Sequence, residues 1–340
     1  MIDKIKFGIV GQGHIGKRHA EMVRQNTDCE LIAVCDIRAK NETGLDDIAE
    51  KYYTSIEELL NAHPEIDVIN ICTPNGLHAS QSITALQAGK HIVCEKPMAL
   101  NKADCEKILF TALQKHKQVF AVMQNRYSPP SVWLKETIDS GKLGDIFMVE
   151  INCFWNRDSR YYTKPNWKGS RNLDGGTLFT QFSHFIDIMY WIFGDIDNIQ
   201  GRFNNFNHQD QIDFEDSGIV TFDFVRSGMG VLNYTTSVWN KNMESSMTII
   251  GSKGSVKIGG QYMDQVEYCE IENYNMPQLS STNPANDYGS YKGSANNHPQ
   301  VIQNVVDTLK GKKSPNTNAL EGLKVVEIIE RIYKSNPYVQ

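Results

Sequence analysis

No stretch of the 340-residue chain approaches the ~20 consecutive apolar residues of a membrane-spanning helix, so a helical span is excluded. The seven cysteines, at positions 29, 35, 72, 94, 105, 153 and 269, include no CxxC pair. Their odd number cannot be fully paired within one chain, so reduced, packed thiols and no metal are expected. A basic excess is missing as well: 34 Lys and Arg stand against 40 Asp and Glu, a formal net charge of −6. Nothing therefore draws the chain broadly to nucleic acid or to an anionic membrane. The opening MIDKIKFG is polar and lacks the apolar segment of a secretory signal, so a cytoplasmic protein is expected. There is no internal repeat and no low-complexity tract.

What is present begins with apolar runs. IKFGIV, LIAVCDI, IDVINICTP, HIVCEKP and VFAVMQN are rich in Val and Ile on consecutive positions, as parallel strands covered on both faces should be. Amphipathic stretches lie between them; in HASQSITALQAGK, Ala79, Ile83 and Leu86 form one stripe and Gly89 suits the helix end. Repeated βα units predict a doubly wound parallel sheet over residues 1–125, with its ligand crevice at the carboxyl ends of the strands, where Thr73, Pro74 and Lys96 fall. After SPPSVWLKETIDSGKLG the texture changes. FMVEINCFW, SGIVTFDF, MGVLNYTTSV and MTIIGSKGSVKIGG read as strands of an open, mainly antiparallel sheet, with a hairpin turn at GSKGS. One helix is expected at 177–193, a long loop at 276–297, and two final helices at 299–309 and 319–334. The reading is thus α/β: a dinucleotide-type domain at 1–125 and an α+β domain at 126–340 whose last helix can pack back on the first.

Gly11, Gly13 and Gly16 form G-x-G-x-x-G between the strand IKFGIV and a helical pattern. The first glycine permits a tight turn, the second lets backbone approach a pyrophosphate, and the third lets helix and strand pack closely. Asp36 ends the second strand twenty residues after Gly16, where a carboxylate can accept hydrogen bonds from the adenine ribose. An acid there repels a 2′-phosphate, so NAD is favoured; Arg38 beside it keeps NADP open. NAD chemistry on an alcohol removes a proton from oxygen, which calls for a base. Lys96, in HIVCEKPMAL, and His184, in TLFTQFSHFIDIMYWIF, are the candidates. A lysine needs a downward shift of about 3 units to be half neutral at pH 7, roughly 4 kcal/mol, whereas histidine needs almost none. His184 is therefore expected as the base and Lys96 as the cation that polarises the oxygen. Pro97 restricts Lys96, and on a continuous helix Thr180, His184 and Ile188 share a face, with Gln181 placed for substrate and Asp187 for orienting the imidazole.

GIVGQGHIGKRH, CTPNGLH, CEKPMAL and DGGTLFTQFSHFIDIMYWIFG together resemble the Gfo/Idh/MocA oxidoreductase family, over essentially the whole chain. The resemblance implies that Lys96 and His184 are catalytic and that the Lys96–Pro97 peptide is cis. It extends the expected cofactor contacts to His14, Ile15, Thr73, Pro74, Asn75, His78, Glu95, Lys96 and Gln124. QNRY, FWNRDSRYYTKPNWKGSRNLDGG and NMESSMTIIGSKGSVKIGG are similar to the UDP-N-acetyl-glucosaminuronate 3-dehydrogenases of O-antigen sugar synthesis. One departure stands out: four residues before the histidine, where the wider family has Asp and this branch often Asn, the chain has Thr180.

Substrate contacts are expected from Lys96, Arg126, Arg157, Tyr162, Trp167, Lys168, Thr180, Gln181 and His184, with Arg160 and Arg171 as further cations and Trp155 and Tyr161 as stacking surfaces. The expected protein is an NAD-dependent dehydrogenase of a sugar or sugar nucleotide that forms a homodimer or homotetramer through the open sheet. The alternatives are a free-sugar or inositol dehydrogenase, an NAD-dependent glycosidase, and a cofactor-binding regulatory or scaffold protein without turnover.

Overall fold

The computed structural model describes residues 4–45, 50–163, 167–287, 289 and 291–336. It divides into two compact units, 1–123 with 298–326 and 124–297 with 327–340.

The first unit contains β1 (Ile5–Val10), α1 (His14–Gln25), β2 (Cys29–Cys35), β3 (Lys51–Tyr53), α2 (Ile56–Ala62), β4 (Val68–Ile71), α3 (His78–Gln87), β5 (His91–Cys94), α4 (Lys102–Gln114) and β6 (Val119–Ala121). The strands run in the order β3-β2-β1-β4-β5-β6, every neighbouring pair parallel. Phe7, Ile9, Val68, Ile69, Ile71, Ile92 and Val93 have no exposure, as strands covered on both faces require. The helices begin and end where local chemistry dictates. The Ser55 hydroxyl accepts from the Glu58 amide at the start of α2, and Asn101 accepts from Asp104 at the start of α4. Gly89, at φ +77°, closes α3 while the Gly89 and Lys90 amides return to Leu86 and Ala85. Three-residue β3 is too short for a period to show, whereas α2 buries Ile56, Leu59 and Leu60 at helical spacing.

The second unit contains α5 (Pro129–Asp139), β7 (Ile146–Phe154), α6 (Thr177–Thr180), α7 (Ser183–Phe193), β8 (Ile196–Asn204), β9 (Ser217–Phe224), β10 (Met229–Thr235), β11 (Glu244–Gly251), β12 (Gly254–Gly259), β13 (Gln265–Ile271), β14 (Ala285–Asp287) and β15 (Lys292–Ala295). Seven strands form one sheet in the order β13-β12-β11-β7-β10-β9-β8, antiparallel except for β7 beside β10. The two-residue turn Ser252–Lys253 joins β11 to β12, with Gly251 opposite Gly254, as the GSKGS reading expects. One face of the sheet carries the core: Trp155 lies edge-on to Phe182 and Phe185, Phe182 meets Tyr234, and Phe193 meets Phe224. The opposite face exposes Met148, Ile219, Met229 and Ile250.

Three expectations are corrected. The helix expected at 177–193 is two helices, because the Phe182 amide reaches back five residues to Thr177 while Phe185 reaches only three to Phe182. This change of pitch turns Phe182 into the aromatic core against Trp155 and Tyr234. The segment 276–297 is not all loop, since β14 and β15 pair antiparallel within it. Finally, α8 (His298–Leu309) lies in the first unit, and α9 (Ala319–Lys334) runs from that unit's last residues into the second. Asn26 bonds Gln303 at 2.9 Å, and the Lys310 ammonium meets Asp28 at 2.7 Å, tying α8 to the strand-and-helix layer. A cut at residue 125 places 298–326 in the second domain, whereas the contacts group it with the first.

Candidate active site

At the carboxyl end of β1, Gly11 has φ +91°, and a Cβ there would lie 2.6 Å from the Cys72 carbonyl oxygen. A Cβ on Gly16 would lie 1.8 Å from the Gly11 carbonyl oxygen. Both glycines are demanded by the protein's own backbone. Gly13 differs, for a Cβ there meets nothing within 4 Å. The space beside it is open, at the N-terminus of a 12-residue helix with no acidic residue in its first turn. Open backbone amides at a helix start are the complement of a pyrophosphate, so the loop fits a dinucleotide. His14 is exposed and Ile15 half-buried on the same turn. The Asp36 carboxylate accepts from the Gln12 amide at 2.7 Å, fixing the loop to the end of β2. Arg38 clasps the same carboxylate through Nε at 2.8 Å and Nη2 at 2.9 Å. Burial opposes ionisation of Asp36, but the Arg38 and Gln12 bonds outweigh it and hold the carboxyl below its usual range.

Across the crevice, at the end of β4, the Thr73 hydroxyl donates to Gln81 at 2.6 Å, Pro74 is half-buried and Asn75 buried. His78 begins α3 with both ring nitrogens against carbonyls, Thr73 at 2.8 Å and Pro97 at 2.7 Å. It is 1% exposed and tethers two crevice segments to each other. Burial lowers its pKa against the pull of those two carbonyls. Lys96 follows β5 and is half-buried, and the Lys96–Pro97 peptide is cis. Beside it Glu95 turns inward. Its carboxylate faces His19 at 2.9 Å and His298 at 3.4 Å, and also accepts from the Lys96 amide at 3.3 Å. Burial penalises the Glu95 anion, but the two histidines outweigh that and keep its pKa well below the ordinary value. Among the described residues His19, Glu95 and His298 also gather three ligand-type atoms within 4.8 Å. Their mutual hydrogen bonds account for that geometry. Glu95 therefore braces the Lys96 segment from behind instead of facing open space.

In the second unit, His184 is the second residue of α7 and 5% exposed. Because the helix breaks before it, Thr180 and His184 do not share one helical face. The Thr180 hydroxyl turns to Asp174, donating to its carboxylate and to its carbonyl oxygen at 3.1 Å. Gln181, 3% exposed, donates to the Tyr161 hydroxyl at 3.2 Å. Gln124 accepts from the Asn297 amide at 3.0 Å. Arg126 and Asp187, expected at substrate and imidazole, grip each other with neither side chain exposed. Arg160 meets Asp158 at the surface, and Arg171 donates to the Asp213 carbonyl at 2.5 Å. Arg157, Lys168, Tyr161 and Tyr162 do gather, with half-buried Trp167 next in sequence to Lys168. Tyr291 completes this group, with its ring 4.9 Å from that of Tyr161. Sequence reasoning missed it because it sits in the stretch read as loop, and missed His298 because nothing local marks a buried histidine.

Residues 5–123 match the oxidoreductase family with NAD-binding Rossmann fold, and residues 132–257 match the GFO/IDH/MocA C-terminal domain. The WlbA dehydrogenase from Bordetella pertussis, solved in complex with NADH and UDP-GlcNAcA, is 31% identical with a TM-score of 0.87, covering 98% of this chain and 96% of that one. Inositol 2-dehydrogenase of Salmonella typhimurium is 32% identical over 196 residues, 56% of this chain and 55% of the relative. D-glucoside 3-dehydrogenase of Escherichia coli is 30% identical over 200 residues, 56% of this chain and 54% of the relative. The chain thus spans about half the length of these two curated relatives. A glycine cradle open only at Gly13, an acid closing β2, a lysine–proline step after β5 and two domain matches in series lead to one assignment: this chain belongs to the Gfo/Idh/MocA oxidoreductase family.

Proposed function

We propose that the protein is an NAD-dependent dehydrogenase that oxidises a ring hydroxyl of a sugar, the 3-hydroxyl of a UDP-linked N-acetylglucosaminuronate. The observation that carries this reading is the match, over 98% of the chain, to a dehydrogenase solved with NADH and UDP-GlcNAcA. The match to a D-glucoside 3-dehydrogenase supports position 3.

Bound at the Gly13 cradle, NAD supplies the acceptor for the hydride that leaves the carbinol carbon. The chain's own residues handle the rest. Lys96, ammonium-charged, binds the hydroxyl oxygen and stabilises the negative charge that grows there. His184 takes the hydroxyl proton, since an imidazole titrates near neutral pH where an ordinary lysine does not. His78 and Glu95 steady the Lys96 segment through the Pro97 carbonyl and the Lys96 amide. Gln181 and the cations of the second unit bind the rest of the sugar nucleotide. The exposed apolar face formed by Met148, Ile219, Met229 and Ile250 serves a second copy of the chain.

The test is a panel of UDP-sugars, free sugars and inositols incubated with NAD, read by NADH absorbance and product mass. A UDP-uronate that loses two mass units is the expected outcome. A second reading, polyol oxidation, draws on the 32% identity to inositol 2-dehydrogenase; turnover of inositol with no turnover of any UDP-sugar would put it first.

A further inference from the structure

Resting on the sugar-oxidising reading above, we infer that Glu215 and Tyr333 are positioning residues for the reaction: together they hold the start of α6, and with it the turn that delivers Gln181 and His184. α6 has only four residues, and its opening glycine, Gly176, has φ +140°. So short a helix has little stability of its own, and its place is set by what grips it. Two grips meet at its first turn. The Leu178 amide, one of the donors that a helix start leaves without an internal partner, donates to the Tyr333 hydroxyl oxygen at 3.0 Å. That hydroxyl donates in turn to the Glu215 carboxyl at 2.7 Å, and the Tyr234 hydroxyl donates to the same oxygen at 3.2 Å. The hydroxyl of Thr177, a residue with no exposure, donates to the Glu215 backbone carbonyl at 2.6 Å.

The turn toward the imidazole hangs from Thr177. Its carbonyl accepts from the Gln181 amide at 3.0 Å and from the Phe182 amide at 3.2 Å, the wide step that ends α6 two residues before His184. Tyr333 fits closely against the same turn: its ring lies 5.8 Å from that of Phe179, and a Cβ on Gly176 would collide with its hydroxyl. Displacing a catalytic group by about 1 Å is enough to cost about 100-fold in rate, so a grip on Thr177 and Leu178 reaches kcat without touching the substrate. The carboxyl makes this grip responsive to pH. Its two partners are neutral hydroxyls, and burial pushes its pKa up to about 7. The ionisable groups around it are Tyr333 from α9, Tyr234 from β10 and Tyr162; Asp174 acts on Tyr333, and Asp216, next in the chain, faces His208 at 3.0 Å. Above about 7 a buried anion favours any arrangement that lets water reach Glu215, so the grip is tightest with the proton in place.

The test measures kcat and KM for NAD and UDP-GlcNAcA on the full chain, in the wild type and in Tyr333→Phe, Thr177→Val, Thr177→Ser and Glu215→Gln, alongside amide hydrogen exchange over residues 176–184. Loss of one hydrogen bond is expected to lower kcat by about 5- to 10-fold in Tyr333→Phe and in Thr177→Val, with KM for NAD within about 2-fold of the wild type. Exchange over 176–184 is expected to quicken in both, and Thr177→Ser to restore kcat and exchange together. Glu215→Gln keeps an acceptor for the two hydroxyls but cannot ionise. The ratio of its kcat to that of the wild type is expected to rise about 3-fold from about pH 6 to about pH 8.5, with any limb due to His184 cancelling in the ratio. A flat ratio, or an unchanged kcat in both hydroxyl variants, overturns the inference even if the wild type oxidises the sugar. If the wild type oxidises no sugar, the functional reading fails and hydrogen exchange decides the grip alone: equal exchange over 176–184 in the wild type and Tyr333→Phe overturns it.

Discussion

Arg126 and Asp187, sixty-one residues apart in the chain, form a fully buried pair: Nε meets both carboxylate oxygens at 3.1 and 2.9 Å, and Nη2 meets one at 2.6 Å. Trp191 flanks the guanidinium at 5.3 Å. The pair pins the residues after β6 to the helix that carries His184. Removing one partner takes away an ion pair formed out of reach of water. Arg126→Met is expected to cost about 3–5 kcal/mol in urea denaturation, and the double variant with Asp187→Leu to recover much of it. Equal losses in single and double variants would contradict a paired role.

Asp36 holds its loop amide and Arg38 at once, and it is the group expected to exclude a 2′-phosphate. Asp36→Ser, which leaves Arg38 free to meet a phosphate, is expected to raise KM for NAD by about 10- to 100-fold and to improve use of NADP. Steady-state kinetics with both cofactors checks this.

Glu215 is buried against the Tyr333 hydroxyl at 2.7 Å and the Tyr234 hydroxyl at 3.2 Å. Burial pushes its pKa up to about 7, against the pull of those hydroxyls. The folded protein therefore keeps a proton that the unfolded chain releases at its usual, lower pKa. Stability falls as pH rises between those two values, by up to roughly 3 kcal/mol once above the folded pKa. Glu215→Gln is expected to flatten this slope and to melt higher than the wild type at pH 8, read by thermal unfolding across pH.

Met229 stands on the exposed sheet face beside Met148, its register partner on β7. A charge at the centre of an apolar contact disfavours association. Met229→Glu is expected to yield monomer in light scattering where the wild type gives a dimer or tetramer. A monomeric wild type would remove this interface from the account.

Much of the first unit was legible because its determinants are local. Val and Ile runs, a glycine at each tight approach and an acid after β2 report on backbone geometry within a few residues. The second site was less legible. Arg126 and Arg157 look alike in sequence, yet one is spent on Asp187 and the other meets only neutral acceptors among the described residues. That difference depends on which distant strand or helix each side chain reaches. The break before His184 was hidden for the same reason, since the four-residue spacing of Thr180 and His184 is helical and only the packing of Phe182 on Trp155 and Tyr234 interrupts it. Tyr291 was hidden within a polar stretch whose short hairpin lacks an apolar alternation.

The most direct test follows one atom. UDP-N-acetylglucosaminuronate carrying deuterium at carbon 3 is incubated with NAD and the wild type, Lys96→Met and His184→Asn. The label is expected in the reduced cofactor with the wild type, and transfer is expected to slow by about 100-fold or more in each variant. Label that stays on the sugar while NADH forms from another substrate, or transfer that survives both substitutions, would contradict this mechanism.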